Sequence, residues 1–134
     1  MIELFVQSRY HVNREVVRAK AQSFLKKVGL DPDGYIVSIG IIGDRKMAEL
    51  HKKYAQKSGT TPVLAFTLNQ AGLDNKYHGA RNAKETSGNR STLLGEIVIS
   101  YPQTLIFAAD ENKLVDEKIG EFVEHGLTNL LQAK

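Results

Sequence analysis

LVDEKIGEFVEHGLTNLLQAK, residues 114–134, is the stretch whose reading decides the fold. Val115, Ile119, Phe122, Val123, Leu127 and Leu130 recur at the spacing of one face of an α-helix. Such a helix buries its stripe against another element, most simply a sheet. Plotted at 100° per residue, His125 and Asn129 fall side by side next to Phe122, at the edge of the stripe. Two polar side chains at i, i+4 on a half-buried flank is the geometry of H-x-x-x-H metal motifs. Here the second position is Asn, a poor ligand for a borderline-soft metal such as zinc. His125 is therefore expected to be partly buried and hydrogen-bonded within the fold.

Upstream, LLGEIVIS at residues 93–100 reads as a strand, with Glu96 and Val98 on one side and Ile97 and Ile99 on the other. Pro102 then opens a short helix at its first position, ending near Asp110. PVLAFTL at 62–68 is a third strand with Pro at its start, where a missing N–H does least harm. YIVSIGII at 35–42 is a β-branched strand buried on at least one face. Gly43 and Asp44 close it and cap a helix carrying Met47, Leu50 and Tyr54 at i, i+3, i+7. Before it, Asn13 caps a helix with Val17, Ala21, Phe24, Leu25 and Val28 on one face, stopped by Gly29. ELFVQS at 3–8 is the first strand. The order is β-α-β-α-β-β-α-α. It predicts an α+β fold over residues 1–134, one domain, with helices packed on a mixed four-stranded sheet.

The composition, 42% hydrophobic and 25% charged over 134 residues, is that of an ordinary globular domain. The absence of cysteine excludes disulfides, thiolate metal sites and a cysteine nucleophile. No apolar run approaches the ~18 residues of a membrane span, and no signal peptide is evident, so the expected compartment is the cytoplasm.

Charge is unevenly spread. Residues 1–93 carry 15 Lys and Arg against 8 Asp and Glu, whereas residues 94–134 carry 3 against 7. A basic body with an acidic C-terminal segment suits a polyanion, or else is a solvated surface without a partner. Lys52, Lys53 and Lys57 cluster at the end of the second helix. The long polar stretch 69–92 adds Lys76, Arg81, Lys84 and Arg90, with Tyr77 and His78 able to stack on bases. These seven basic residues are the candidate RNA contacts. His51 lacks a companion at ligand spacing and is expected to be a surface or satisfied histidine.

Three segments in fixed order, LHKKYAQKSGTTPVLAF at 50–66, LGEIVIS at 94–100 and HGLTNLLQAK from 125, resemble the YbeY family of bacterial rRNA maturation factors. The first keeps Leu50, Tyr54, Lys57, Thr61, Val63, Leu64 and Phe66, and the second differs only by Glu96 for an Asp. The resemblance implies a metallo-endoribonuclease fold, zinc as cofactor, and RNA, the ribosome or a ribosomal protein as partner. It also places departures on the chemistry. The family's basic residue after the Tyr is Ala55, the Asp of its T-D-V is Pro62, and the following Ser is Ala65. Of three metal-binding histidines His125 is matched, Asn129 holds the second place, and the third would fall one residue beyond Lys134.

Three neutral nitrogens leave zinc one position for a water whose pKa falls toward ~7. One imidazole and one amide do not, unless Glu121, one turn before His125, or a partner completes the set. No residue is assigned a catalytic role. The expected function is an RNA-processing or ribosome-contacting protein with weak or absent cleavage. The alternative is a protein-interaction module on the same fold.

Overall fold

The computed structural model describes residues 1–66 and 92–132. Its strands are β1 (Ile2–Val6), β2 (Tyr35–Ile42), β3 (Val63–Phe66) and β4 (Thr92–Ser100). The helices are α1 (Arg14–Lys27), α2 (Asp44–Ala55), α3 (Tyr101–Glu111) and α4 (Val115–Gln132), with one 3-10 turn at Pro32–Gly34. The strands form one sheet in the order β1-β2-β4-β3. β1, β2 and β4 run parallel, and the edge strand β3 is antiparallel to β4. The expected α+β architecture with a mixed four-stranded sheet is thus present. Residues 67 and 68 of the expected third strand, and the stretch 69–91, lie outside the described residues.

β2 explains the layering. Every residue after Tyr35 in it is buried, so it is covered on both faces, as its lack of alternation with charged residues requires. On one face Val37, Ile39, Ile41, Ile97 and Ile99 pack against Val17, Ala21 and Leu25 of α1 and Ile119, Val123, Leu127 and Leu130 of α4. On the other, Ile42, Val98 and Phe66 pack against Met47 and Leu50 of α2. The connections leaving β1 and β2 therefore depart over opposite faces of the sheet. On the outer edge of β1, Arg14 Nη1 donates to the Leu4 carbonyl at 3.2 Å, which covers part of an otherwise open strand edge.

Two glycines let α4 settle on β4. A Cβ at Gly126 would lie 2.7 Å from Ile97 Cγ2, closer than side chains approach one another. Gly95 has φ +154°, and a side chain there would collide with the Phe66 carbonyl oxygen and with Leu130. It follows the one irregularity of the β2–β4 pairing: Ile36 pairs with Leu93 and Val37 with Gly95, leaving Leu94 as an extra residue. α3 is then fastened to α4 by charge. Lys118 Nζ lies 2.8 Å from Glu111 Oε1 and 3.0 Å from Glu121 Oε1, while Lys113 also binds Glu121. The Lys118 stem is buried between these carboxylates and the rings of Phe107 and Phe122.

Three local expectations are corrected. The first strand ends at Val6 rather than at residue 8, because Tyr10 N donates to Gln7 O and closes a turn. Pro102 is not the first residue of α3: Ser100 is the cap, accepting from Gln103 N, and Tyr101 precedes the proline. Asp44 begins α2, but its carboxylate does not cap the helix. The Gly43 cap makes no side-chain hydrogen bond, and Asp44 accepts instead from Ser100 Oγ, Thr60 Oγ1 and Gln103 Nε2. The Asn13 cap is found as expected, its side chain accepting from Val16 N at 3.2 Å.

Candidate functional site

The outward surface of α4 carries the histidine that the sequence singles out. Its position follows from which residues the helix buries: Lys118, Ile119, Gly120, Val123, Gly126, Leu127 and Leu130. The buried stripe is thus centred near Val123 and Leu130. At 100° per residue His125 falls well over 100° from that centre. His125 is exposed, as is Asn129 one turn later, which corrects the expectation of a partly buried, internally bonded histidine. Phe122, expected in the stripe, is only half-buried, its ring edge-on to Phe107 at 5.8 Å. Gly120 and Gly126, which add no apolar side chain to a sequence plot, also belong to the buried face, where the helix meets Lys20 and Ile97.

The donor set around His125 does not fit a zinc ion. Asn129 offers a neutral amide oxygen, which binds zinc poorly beside an imidazole. Glu121, the carboxylate one turn away, is held by Lys113 and Lys118. The Lys113 hydrogen bond, followed by that of Lys118, keeps its carboxyl below the usual carboxylate range. Binding a metal would require breaking those pairs. Among the described residues no three His, Asp or Glu side chains converge as a metal would need.

The basic candidates fall in two places. Lys52 and Lys53 are exposed in the last turn of α2, and Lys57 is exposed just beyond it. Lys53 Nζ sits 5.4 Å above the ring of Tyr54, which packs edge-on against Phe66 at 4.7 Å. These lysines lie on the sheet face opposite α4, so the fold does not place them beside His125. Lys76, Arg81, Lys84 and Arg90, with Tyr77 and His78, lie outside the described residues. His51 is satisfied, its Nδ1 3.0 Å from the Gly59 carbonyl oxygen. Ala55, where the resemblance puts a basic residue, is exposed at the end of α2. Glu96, where it puts an Asp, is 4% exposed on the α2 face and registers with Phe66.

Comparison with known proteins agrees with this layout. The family model described as Endoribonuclease YbeY matches residues 5–132, nearly the whole chain. This chain belongs to the YbeY family. An Endoribonuclease YbeY of Dehalococcoides mccartyi is 30% identical over 120 residues, 90% of this chain and 73% of that relative. One of Thermodesulfovibrio yellowstonii is 32% identical over 101 residues, covering 75% of this chain and 54% of its own. The solution structure of TM1509 from Thermotoga maritima superposes with a TM-score of 0.56 over 97% of this chain and 71% of its own. At 18% identity that likeness speaks for the fold alone. The YbeY match also takes in the end of β1 and all of α1, which precede the segments that carry the resemblance in the sequence.

What sequence reasoning misses is the polar knot at the start of α2. Asp44, Thr60, Ser100 and Gln103 come together from the β2–α2 turn, the loop before β3 and the β4–α3 junction. Nothing in their spacing, up to 59 residues apart, signals it.

Proposed function

We propose that this YbeY-family chain acts on or with ribosomal RNA in the cytoplasm, and that its capacity for metal-dependent cleavage is weak or lost. The observation that carries the reading is the exposed pair His125 and Asn129 on one face of α4, with Glu121 already held by two lysines. The family relationship supports an RNA partner. The donor chemistry argues against a tightly held zinc and the acidified water it would supply. The remaining work is binding, through Lys52, Lys53 and Lys57 and the basic stretch that follows.

The test is one preparation and three measurements. Metal analysis after dialysis is expected to find far less than one zinc per chain. Single-stranded ribosomal RNA fragments are expected to bind, with affinity falling steeply as salt rises. Cleavage of the same fragments is expected to be far slower than by a YbeY relative with three histidines at these positions. One tightly held ion per chain together with rapid cleavage would overturn the reading.

A protein-interaction role remains as the second reading, favoured by α3. Leu105, Ile106 and Phe107 stand consecutively exposed on it, with Ile106 59% accessible. A ribosomal protein docking there would bind with little salt dependence, which separates the two readings.

A further inference from the structure

A second concave site lies at the carboxyl ends of the parallel strands, away from α4. In an open sheet a crevice forms where the connections leaving two adjacent parallel strands part to opposite faces, and ligands settle there. β1 and β2 are such a pair: the first connection leads to α1 on one face, the second to α2 on the other. A cleft of about 600 Å³ occupies this point, within the range of small-molecule sites. Its walls are the β1–α1 turn with Gln7, Arg9 and Tyr10, the first turns of α2 with Arg45 and Lys46, and Pro102.

The two strand ends are tied to each other. Gln7 Oε1 accepts from Gly43 N at 3.0 Å, and Tyr10 stacks on Tyr101 with ring centroids 4.5 Å apart. The wall is therefore held in place rather than carried on a free loop. Its acids are already engaged. Asp44 accepts from Ser100, Thr60 and Gln103, and Glu49 lies 3.8 Å from Lys46. Among the described residues neither the Arg9 nor the Arg45 guanidinium has a carboxylate partner, and both are exposed. Arg9 Cζ stands 5.9 Å from the centroid of the Tyr10 ring. Planar cations and an aromatic wall at the rim of a cleft match a phosphate and a base together.

We propose that this crevice is a nucleotide subsite, with Arg45 on the phosphate and the Arg9–Tyr10 wall on the base. The nucleotide is either free or one unit of an RNA strand, and the test separates these. The site shares no residue with the α4 face, so it stands or falls apart from the reading of His125.

The full chain is titrated with AMP, with inorganic phosphate and with a five-residue adenosine oligoribonucleotide, following backbone amide shifts. AMP is expected to move the amides of residues 7–10 and 43–49. The double variant Arg9→Gln, Arg45→Gln is expected to weaken it about tenfold, as loss of charge-assisted hydrogen bonds does. Lys26→Gln with Lys27→Gln removes the same charge from the end of α1 and is expected to change nothing. Thermal melts equal to the parent show that the arginine variant is folded. A response to the oligonucleotide but not to AMP assigns the same subsite to an RNA strand. No shift at these amides with either nucleotide ligand, an unaffected double variant, or phosphate binding as tightly as AMP would each overturn the proposal.

Discussion

The Ser100 hydroxyl donates to the Asp44 carboxylate at 2.8 Å, joining the end of β4 to the start of α2 across 56 residues of sequence. The same hydroxyl accepts from Gln103 N and so caps α3. Ser100 is fully buried, and one oxygen serves two elements. Ser100→Ala is therefore expected to cost about 1–3 kcal/mol, since it removes a cap and a charge-assisted donor together. Gln103→Ala, which removes a longer 3.4 Å hydrogen bond at the rim, is expected to cost less. Urea denaturation of both variants checks the order, and equal costs would show that the Ser100 cap and its Asp44 bond together contribute no more than the rim hydrogen bond of Gln103.

The packing of α4 predicts a second contrast. Leu127 is fully buried, and Leu127→Ala is expected to cost about 2–5 kcal/mol. Phe122→Ala is expected to cost clearly less, because the ring is half-buried over Phe107. Gly126→Ala is expected to destabilise although alanine favours helices, since its methyl would meet Ile97 at 2.7 Å. Overpacking of about 1–3 kcal/mol outweighs a propensity gain of about 1 kcal/mol. Thermal melts of the three variants are sufficient.

These contrasts show what the sequence can and cannot carry. The strands and helices are legible because β-branched runs such as YIVSIGII and the 3.6-residue stripe of α4 are strong local signals. The central position of β2 is hinted at by its lack of polar alternation, but the β1-β2-β4-β3 order is not, because it depends on long-range pairing. The burial of His125 is misread because Val115 and Phe122, which an apolar count places in the stripe, are only half-buried, so the buried face of α4 is centred farther from His125 than the count suggests. Lys118 escapes notice for the opposite reason: a charged residue can bury its stem when two carboxylates receive its head.

The α3–α4 ion network predicts the pH dependence of stability. The hydrogen bond from Lys118 chiefly lowers the Glu111 pKa, and that from Lys113 chiefly lowers the Glu121 pKa, both from the usual 4.5. Groups lowered on folding contribute fully above their unfolded pKa and lose that contribution as pH falls through the folded one. Lys113 and Lys118 are raised above 10.5, chiefly by hydrogen bonds to Glu121 and Glu111, so their contribution is full below 10.5 and is lost at higher pH. The network's share is thus constant across neutral pH and falls below about pH 4.5 and above about pH 10.5. Unfolding midpoints of Glu121→Gln against the parent from pH 3 to 7 are expected to converge at the acid end. A constant gap would mean that Glu121 does not titrate with folding.

Lysines that neutralise phosphate leave a signature in salt. Removing the charges of Lys52, Lys53 and Lys57 together is expected to flatten the log affinity against log salt line for single-stranded RNA. Each phosphate that is no longer neutralised should lower the slope by about 0.7. Arg9→Gln with Arg45→Gln reports on the crevice by the same measure. An unchanged slope in the triple lysine variant would take the end of α2 out of the RNA surface.

Asn129→His tests whether the α4 face can be restored to metal chemistry by one substitution. Asn129 is exposed and one helical turn from His125, so the change is expected to leave the melting midpoint nearly unaltered. It places two imidazoles at i, i+4, and zinc affinity is expected to rise measurably. Cleavage is not expected to follow. Glu121 stays bound to Lys113 and Lys118, and Ala55 still stands where the resemblance puts a basic residue. Adding Glu121→His frees that position and supplies a third imidazole one turn before His125, at some cost in the α3–α4 ion network. Zinc binding by isothermal titration and cleavage of the same RNA separate the steps. Rapid cleavage by Asn129→His alone would show that the chemistry needs neither a basic residue at 55 nor a third donor from α4.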